Sequence, residues 1–154
     1  MCTCRDCRRA DLNCRLILAD YGLSKVVTGK DISSLGRGTN LYKAPELGGS
    51  GTFSLGSDMW SFGCIIFDVC STGKRMAFAF DKDLDDYVKG VVTEPPQLVQ
   101  ADNKALTSHD LQIFNGIIRD CLSIKPHNRP SAESLSNMFQ FRFSATGESS
   151  DEDE

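Results

Sequence analysis

Apolar residues run together through R-L-I-L-A at 15–19 and stop at Asp20-Tyr21-Gly22, a length and an ending that predict a buried strand leading into a turn. From 23 to 40 neither a helical nor an alternating period holds. Glycine, serine and threonine recur there instead, and the segment reads as a long connection of the kind that usually carries function. The pattern changes at Ser57-Asp58. Residues 59–70 include Trp60, Phe62, Ile65, Ile66, Phe67 and Val69, apolar on nearly every face, which predicts a central helix capped by Ser57-Asp58, buried all round and closed by Gly73. Residues 81–87 predict a shorter surface helix ahead of the Pro95-Pro96 break. Leu111, Phe114, Ile118 and Leu122 then fall at three- and four-residue spacing, joined by Ile113 and Ile117, with Thr107 and Asp110 placed as a capping pair. Pro126 and Pro130 bracket a rigid turn. After it, 132–138 predicts a last short helix started by Ser131 and Glu133. No internal repeat joins these segments.

Composition adds the compartment and the partners. A chain of 154 residues that is 40% hydrophobic and 25% charged suits one globular domain with a real core. No stretch approaches the roughly eighteen apolar residues of a membrane span, and the start is basic and cysteine-rich, so the expectation is a cytoplasmic protein without a membrane partner. Of seven cysteines, Cys64, Cys70 and Cys121 lie inside apolar helical patterns and read as reduced core thiols. Cys2, Cys4, Cys7 and Cys14 crowd the first residues. Their C-x-C-x2-C-x6-C spacing offers four thiolates to a zinc ion but matches no standard ribbon or finger, so an unstructured start stands beside that reading. The net charge of −4 comes from the end, where Glu148, Asp151, Glu152, Asp153 and Glu154 leave seventeen bases against sixteen acids in the rest. A near-neutral body does not advertise nucleic-acid binding, and 144–154 reads as a solvated acidic tail.

The motifs supply what periodicity does not. Asp20-Tyr21-Gly22 after an apolar run, Gly38-Thr39-Asn40-Leu41-Tyr42-Lys43-Ala44-Pro45-Glu46 after the long connection, Ser57-Asp58-Met59-Trp60-Ser61-Phe62-Gly63 opening the apolar helix, and Lys125-Pro126-His127-Asn128-Arg129-Pro130 resemble, in order, the D-F-G, A-P-E, D-x-W-S-x-G and P-x-x-R-P signatures of eukaryotic protein kinases. The tyrosine in place of phenylalanine departs from the first signature. The resemblance runs without a break over about 11–138. It implies a mainly α fold, the C-terminal lobe of a protein kinase-like domain with a short β segment before the activation loop, divided as 1–10 unmatched, 11–143 partial kinase domain and 144–154 tail.

By the same resemblance, Asp20 is the Mg²⁺ ligand, and Gly22 is the hinge beside it that completes the nucleotide side. An Asp that merely starts a turn is the plainer alternative. Thr39, seven residues before Glu46, and Tyr42 resemble the acceptor-side loop of serine/threonine kinases, and Thr28, Ser33 and Ser34 offer hydroxyls for loop phosphorylation. Glu46 and Arg129 resemble a buried ion pair tying the end of the loop to the last helices. Asp58 matches an aspartate that holds the catalytic loop by its amides, with helix capping as its other role. Ser149 and Ser150, each followed three residues later by an acid, resemble sites for an acid-directed kinase.

Phosphoryl transfer also needs a glycine-rich flap, a lysine on the phosphates and an H-R-D-x-x-x-x-N loop. None occurs in this sequence. The nearest base is Asp6 in Cys4-Arg5-Asp6, but Asp11 stands five residues on where asparagine belongs. The expectation is therefore part of a Ser/Thr kinase domain whose parent uses ATP and Mg²⁺, with neither held tightly by this chain and a protein substrate or docking partner as its counterpart. A pseudokinase-like binding module and a non-functional remnant remain open beside it.

Overall fold

The computed structural model describes residues 17–24, 32–33, 40–48 and 52–144. Four helices dominate: α1 Leu55–Cys70, α2 Asp81–Val88, α3 Ser108–Cys121 and α4 Ala132–Ser144. The strands are two residues each, β1 Ile32–Ser33 pairing antiparallel with β2 Thr52–Phe53, Ile32 opposite Phe53. This is the mainly α architecture the motifs imply.

The middle of the chain folds as its pattern dictates. The Thr107 hydroxyl accepts from the Asp110 N–H at 3.1 Å while the Asp110 carboxylate accepts from the Thr107 N–H at 2.8 Å, so a reciprocal box starts α3. Ser131 caps α4 through the Ser134 N–H at 3.0 Å. That helix runs on to Ser144, past the 132–138 segment its pattern suggested and into the first residue assigned to the tail.

Three expectations need correction. The strand before the turn does not form at 17–20, where Ile17 and Leu18 are each 81% exposed. A strand needs a hydrogen-bonding neighbour, and among the described residues none lies alongside. The α1 cap is Ser54 rather than Ser57-Asp58: Ser54 and Ser57 exchange side-chain and backbone hydrogen bonds at 3.2 and 3.3 Å, so the helix begins earlier and Asp58 sits inside its first turn. Nor is α1 buried all round. Trp60, Cys64 and Phe67 are sealed at 0–1% exposure, while Leu55 (69%), Phe62 (36%), Ile65 (49%) and Val69 (69%) face outward.

The core lies between α1 and α3. Trp60 stacks on Phe78 with ring centroids 5.6 Å apart, and Tyr87 leans on both while its hydroxyl donates to the Leu122 carbonyl at 2.9 Å. Ile118 and Leu122 close the cluster, and Met59, Ile117, Cys121 and Leu135 extend it under α4. A Cβ on Gly63 would stand 2.7 Å from the Cys121 Cβ, so the two helices meet where α1 has no side chain. The three body cysteines are buried free thiols, and burial pushes Cys64 and Cys121 up to about 12, which keeps them protonated. The α1 end is turned by two consecutive left-handed residues, Thr72 and Gly73, with the Gly73 N–H closing on the Asp68 carbonyl at 2.8 Å. Thr72, which bears the steric cost that glycine avoids, donates its hydroxyl to the Asp102 carbonyl at 3.3 Å.

Candidate functional site

The segment 40–48 is anchored at two points, one on Arg129 with Ser57 of α1 and the other on α1 alone. The first is Glu46, in the short 3₁₀ turn Pro45–Leu47. Arg129 reaches it with both terminal nitrogens, Nη1 to Oε1 at 2.7 Å and Nη2 to Oε2 at 2.8 Å, a bidentate pair whose guanidinium side chain is wholly enclosed. The remaining donors are also used: Nη1 to the Gly56 carbonyl at 2.8 Å, Nε to Ser123 at 2.8 Å and Nη2 to Ile124 at 3.2 Å. All five N–H groups of the fork thus have acceptors, and the cation lies 5.1 Å over the Trp60 ring. The Ser57 hydroxyl adds a bond to Glu46 Oε1 at 2.9 Å. Burial pushes the Glu46 carboxyl up, but the hydrogen bonds from Arg129, its own backbone and Ser57, with the Arg129 charge, hold it below the usual carboxylate range. Glu46 is therefore an anion.

The second anchor is Tyr42, whose hydroxyl donates to Asp68 Oδ2 in a short bond and whose carbonyl accepts from the Ser61 hydroxyl at 2.8 Å. That hydrogen bond, with burial and the Asp68 charge behind it, pushes the Tyr42 phenol up to about 12. The other carboxylate oxygen of Asp68 is buried and finds no hydrogen-bond partner among the described residues. Sequence reading missed Asp68. A carboxylate standing between Phe67 and Val69 in an apolar helix was the signal that could have found it.

The two residues that the resemblance assigns to the nucleotide side are arranged differently. Asp20 is exposed, in the left-handed region at φ 65°, just ahead of the 3₁₀ turn Tyr21–Leu23, and its Oδ1 lies 3.6 Å from where a Gly22 Cβ would be. Among described non-glycine residues only Thr72 shares a positive φ, and the Asp20 side chain makes no capping bond to the turn that follows it. The Tyr21 hydroxyl holds the approach by donating to the Leu18 carbonyl at 2.9 Å. Asp20 is a hard oxygen donor of the type Mg²⁺ takes, yet no group of three or more His, Cys, Asp or Glu that could hold a metal occurs among the described residues. A lone carboxylate does not make a Mg²⁺ site, and no step through the metal follows from these residues alone.

Asp58 lies in the first turn of α1, exposed at its tip, and desolvation around it raises its carboxyl. Its capping role passes to Ser54. The structure thus brings together Tyr42, Glu46 and Arg129 around α1, and among the described residues no hydrogen bond or ion pair joins Asp20 or Gly22 to them. Asp6, Thr28, Ser34, Thr39, Ser149, Ser150 and the cysteines at 2, 4, 7 and 14 lie outside the described residues, and of Ser33 only the β1 backbone is described.

The family model of the protein kinase domain matches residues 9–140. The chain is similar to the G2-specific protein kinase nim-1 of Neurospora crassa, 31% identical over 132 residues, covering 79% of this chain and 13% of that protein. It is similar to the serine/threonine-protein kinase Nek3 of Oryza sativa subsp. japonica, 34% identical over 128 residues, covering 81% and 19%. It also resembles the dual specificity protein kinase shkD of Dictyostelium discoideum, 28% identical over 125 residues, covering 79% and 15%. The chain spans less than a fifth of the length of each of these relatives.

Proposed function

Because this chain belongs to the protein kinase domain family, we propose that it is the substrate-side half of a Ser/Thr kinase domain, which holds the acceptor loop in place but transfers no phosphate by itself. The observation that carries this reading is the double anchor of 40–48. Glu46 on Arg129 and Tyr42 on Asp68 fix the segment that the resemblance assigns to the acceptor side, and a fixed acceptor is most of what a protein contributes to phosphoryl transfer beyond charge. Ser/Thr rather than tyrosine is supported by Thr39, the residue just before that segment in the sequence, and by the serine/threonine kinase among the relatives. ATP and Mg²⁺ belong to the joined domain, to which this chain would bring Asp20 and Gly22. The sequence holds neither flap, nor phosphate lysine, nor H-R-D loop to complete them.

The test is a chimaera. Residues 11–140 replace the matching segment of Oryza Nek3 downstream of its own nucleotide-binding and catalytic parts, and transfer of labelled phosphate to protein serine and threonine is measured. The expected result is a working kinase that loses at least about a hundredfold on Asp20→Asn, the scale of a lost metal ligand. A folded chimaera with no transfer would overturn the reading and leave a protein-binding module. The chain alone, with Mg-ATP, is expected to transfer nothing and to melt at an unchanged temperature.

A further inference from the structure

One asparagine of the chain is followed by glycine, and it stands in the middle of α3 as Asn115-Gly116. The Asn115 carboxamide is part-buried and clips the connection between α2 and α3. Its Oδ1 accepts from the Leu98 N–H at 2.8 Å, and its Nδ2 donates to the Leu98 carbonyl at 3.0 Å. Leu98 is thereby held at 3% exposure in the core cluster that contains Trp60, Phe67 and Phe78. Gly116 has no comparable duty. Nothing lies within 4 Å of the place its Cβ would take, so packing does not require a glycine there as it does at Gly63, and a helix interior disfavours one. What this glycine supplies is an unshielded backbone nitrogen beside a side-chain amide. With no Cβ in the way, that nitrogen reaches Asn115 Cγ more readily than at the other asparagines, whose successors are Cys14, Leu41, Lys104, Arg129 and Met138.

We propose that Asn115 is a deamidation site, which the fold keeps closed and which makes any opening of α3 permanent. In the reaction the Gly116 nitrogen, its proton passed to water or hydroxide, attacks Asn115 Cγ. The Cγ–Nδ2 bond breaks, ammonia leaves and a five-membered succinimide forms. Water then opens that ring at either carbonyl to give aspartate or isoaspartate, so water is consumed and ammonia released with no change of oxidation state. Within α3 the first step is blocked in three ways. The ring fixes ψ far from the helical value of about −42°, the Gly116 N–H is engaged along the helix, and both arms of the carboxamide are held on Leu98. Opening the helix removes all three together. The product does not close as before. An aspartate sets an oxygen with no hydrogen to give where Nδ2 had donated to the Leu98 carbonyl over 3.0 Å, and an isoaspartate inserts a methylene into the main chain of α3.

The test incubates the full chain in warm neutral buffer, native and unfolded in urea, and follows each asparagine by peptide mass spectrometry. Asn115 is expected to convert first in urea, and at least about tenfold more slowly in the native chain, because modification of a closed site follows the open population. Gly116→Ala meets no neighbour, so it should melt at or above the native temperature and, by shielding the nitrogen, slow conversion in urea at least about tenfold. Asn115→Asp imitates one product and is expected to melt at least about 3 °C lower. Failure of that variant to fold would be the same loss carried further, and the rate comparison needs only the native chain and Gly116→Ala. Equal rates in native buffer and in urea would overturn the protection. Asn115 lagging behind the other asparagines in urea, or Gly116→Ala converting as fast as the native chain, would overturn the site. An Asn115→Asp chain with unchanged melting would overturn the permanence of the opening.

Discussion

Arg129 is where a single side chain holds the most. Its five N–H groups reach one carboxylate and three carbonyls drawn from three separate stretches of chain. Arg129→Ala strips the counter-ion from a half-buried Glu46 and orphans those carbonyls, and is expected to destabilise by about 3–5 kcal/mol in urea unfolding. Arg129→Lys keeps the charge but loses the fork, and should recover only a minor part of that loss. The pair also sets an acid limb. The folded Glu46 carboxyl lies below its unfolded value, so the unfolded chain binds the extra proton and the stabilisation is complete above the ordinary carboxylate pKa. It is lost as pH falls through the lower folded value. Urea midpoints between neutral pH and pH about 3 should fall with acid, and Glu46→Gln should flatten that fall while lowering the neutral-pH midpoint. A variant with the native slope would remove Glu46 from the account. These two residues were legible in the sequence because they sit in motifs; the carbonyls of Gly56, Ser123 and Ile124 were not, since backbone acceptors leave no mark on residue identity.

At the scale of elements, the crossing of α1 and α3 depends on an atom that is absent. Gly63→Ala would set a methyl 2.7 Å from the Cys121 Cβ, and the expected loss in thermal unfolding is about 1–3 kcal/mol. Cys121→Ala keeps that Cβ and should not rescue it, whereas Cys121→Gly should rescue in part. Thr107→Ala removes one arm of the reciprocal cap on α3 and is expected to lower stability by about 1 kcal/mol, read as a reduced urea midpoint. The α3 box could be read from Thr107 and Asp110 alone, because capping is a contact over three residues. The α1 start could not be read as reliably, for Ser54 and Ser57 are both able caps, and the choice turns on where β2 delivers the chain.

For the whole molecule, the outer side of α1 governs behaviour in solution. An apolar row left in water lowers solubility, so Ile65→Lys and Val69→Lys should raise the ammonium sulfate concentration at which the purified chain precipitates. An unchanged precipitation point would mean the row is no liability. The sequence treated α1 as buried throughout because hydrophobic period reports what a helix is able to bury, while actual burial depends on which neighbours are present. The same distinction explains 15–19, whose apolar run suits a strand but meets no pairing edge among the described residues.

Residue order by itself determined the kinase-like signatures, the α3 cap, the turn at Pro126 and Pro130, and which thiols sit in the core. All of these are set by contacts within a few residues or by side-chain chemistry carried in a motif. Tertiary structure alone decided that Asp68 takes Tyr42, that Arg129 is saturated by distant carbonyls, that Gly63 is the point of closest approach, and that one side of α1 stays bare. Each of those joins parts of the chain far apart in sequence, and no local pattern encodes the distance between them.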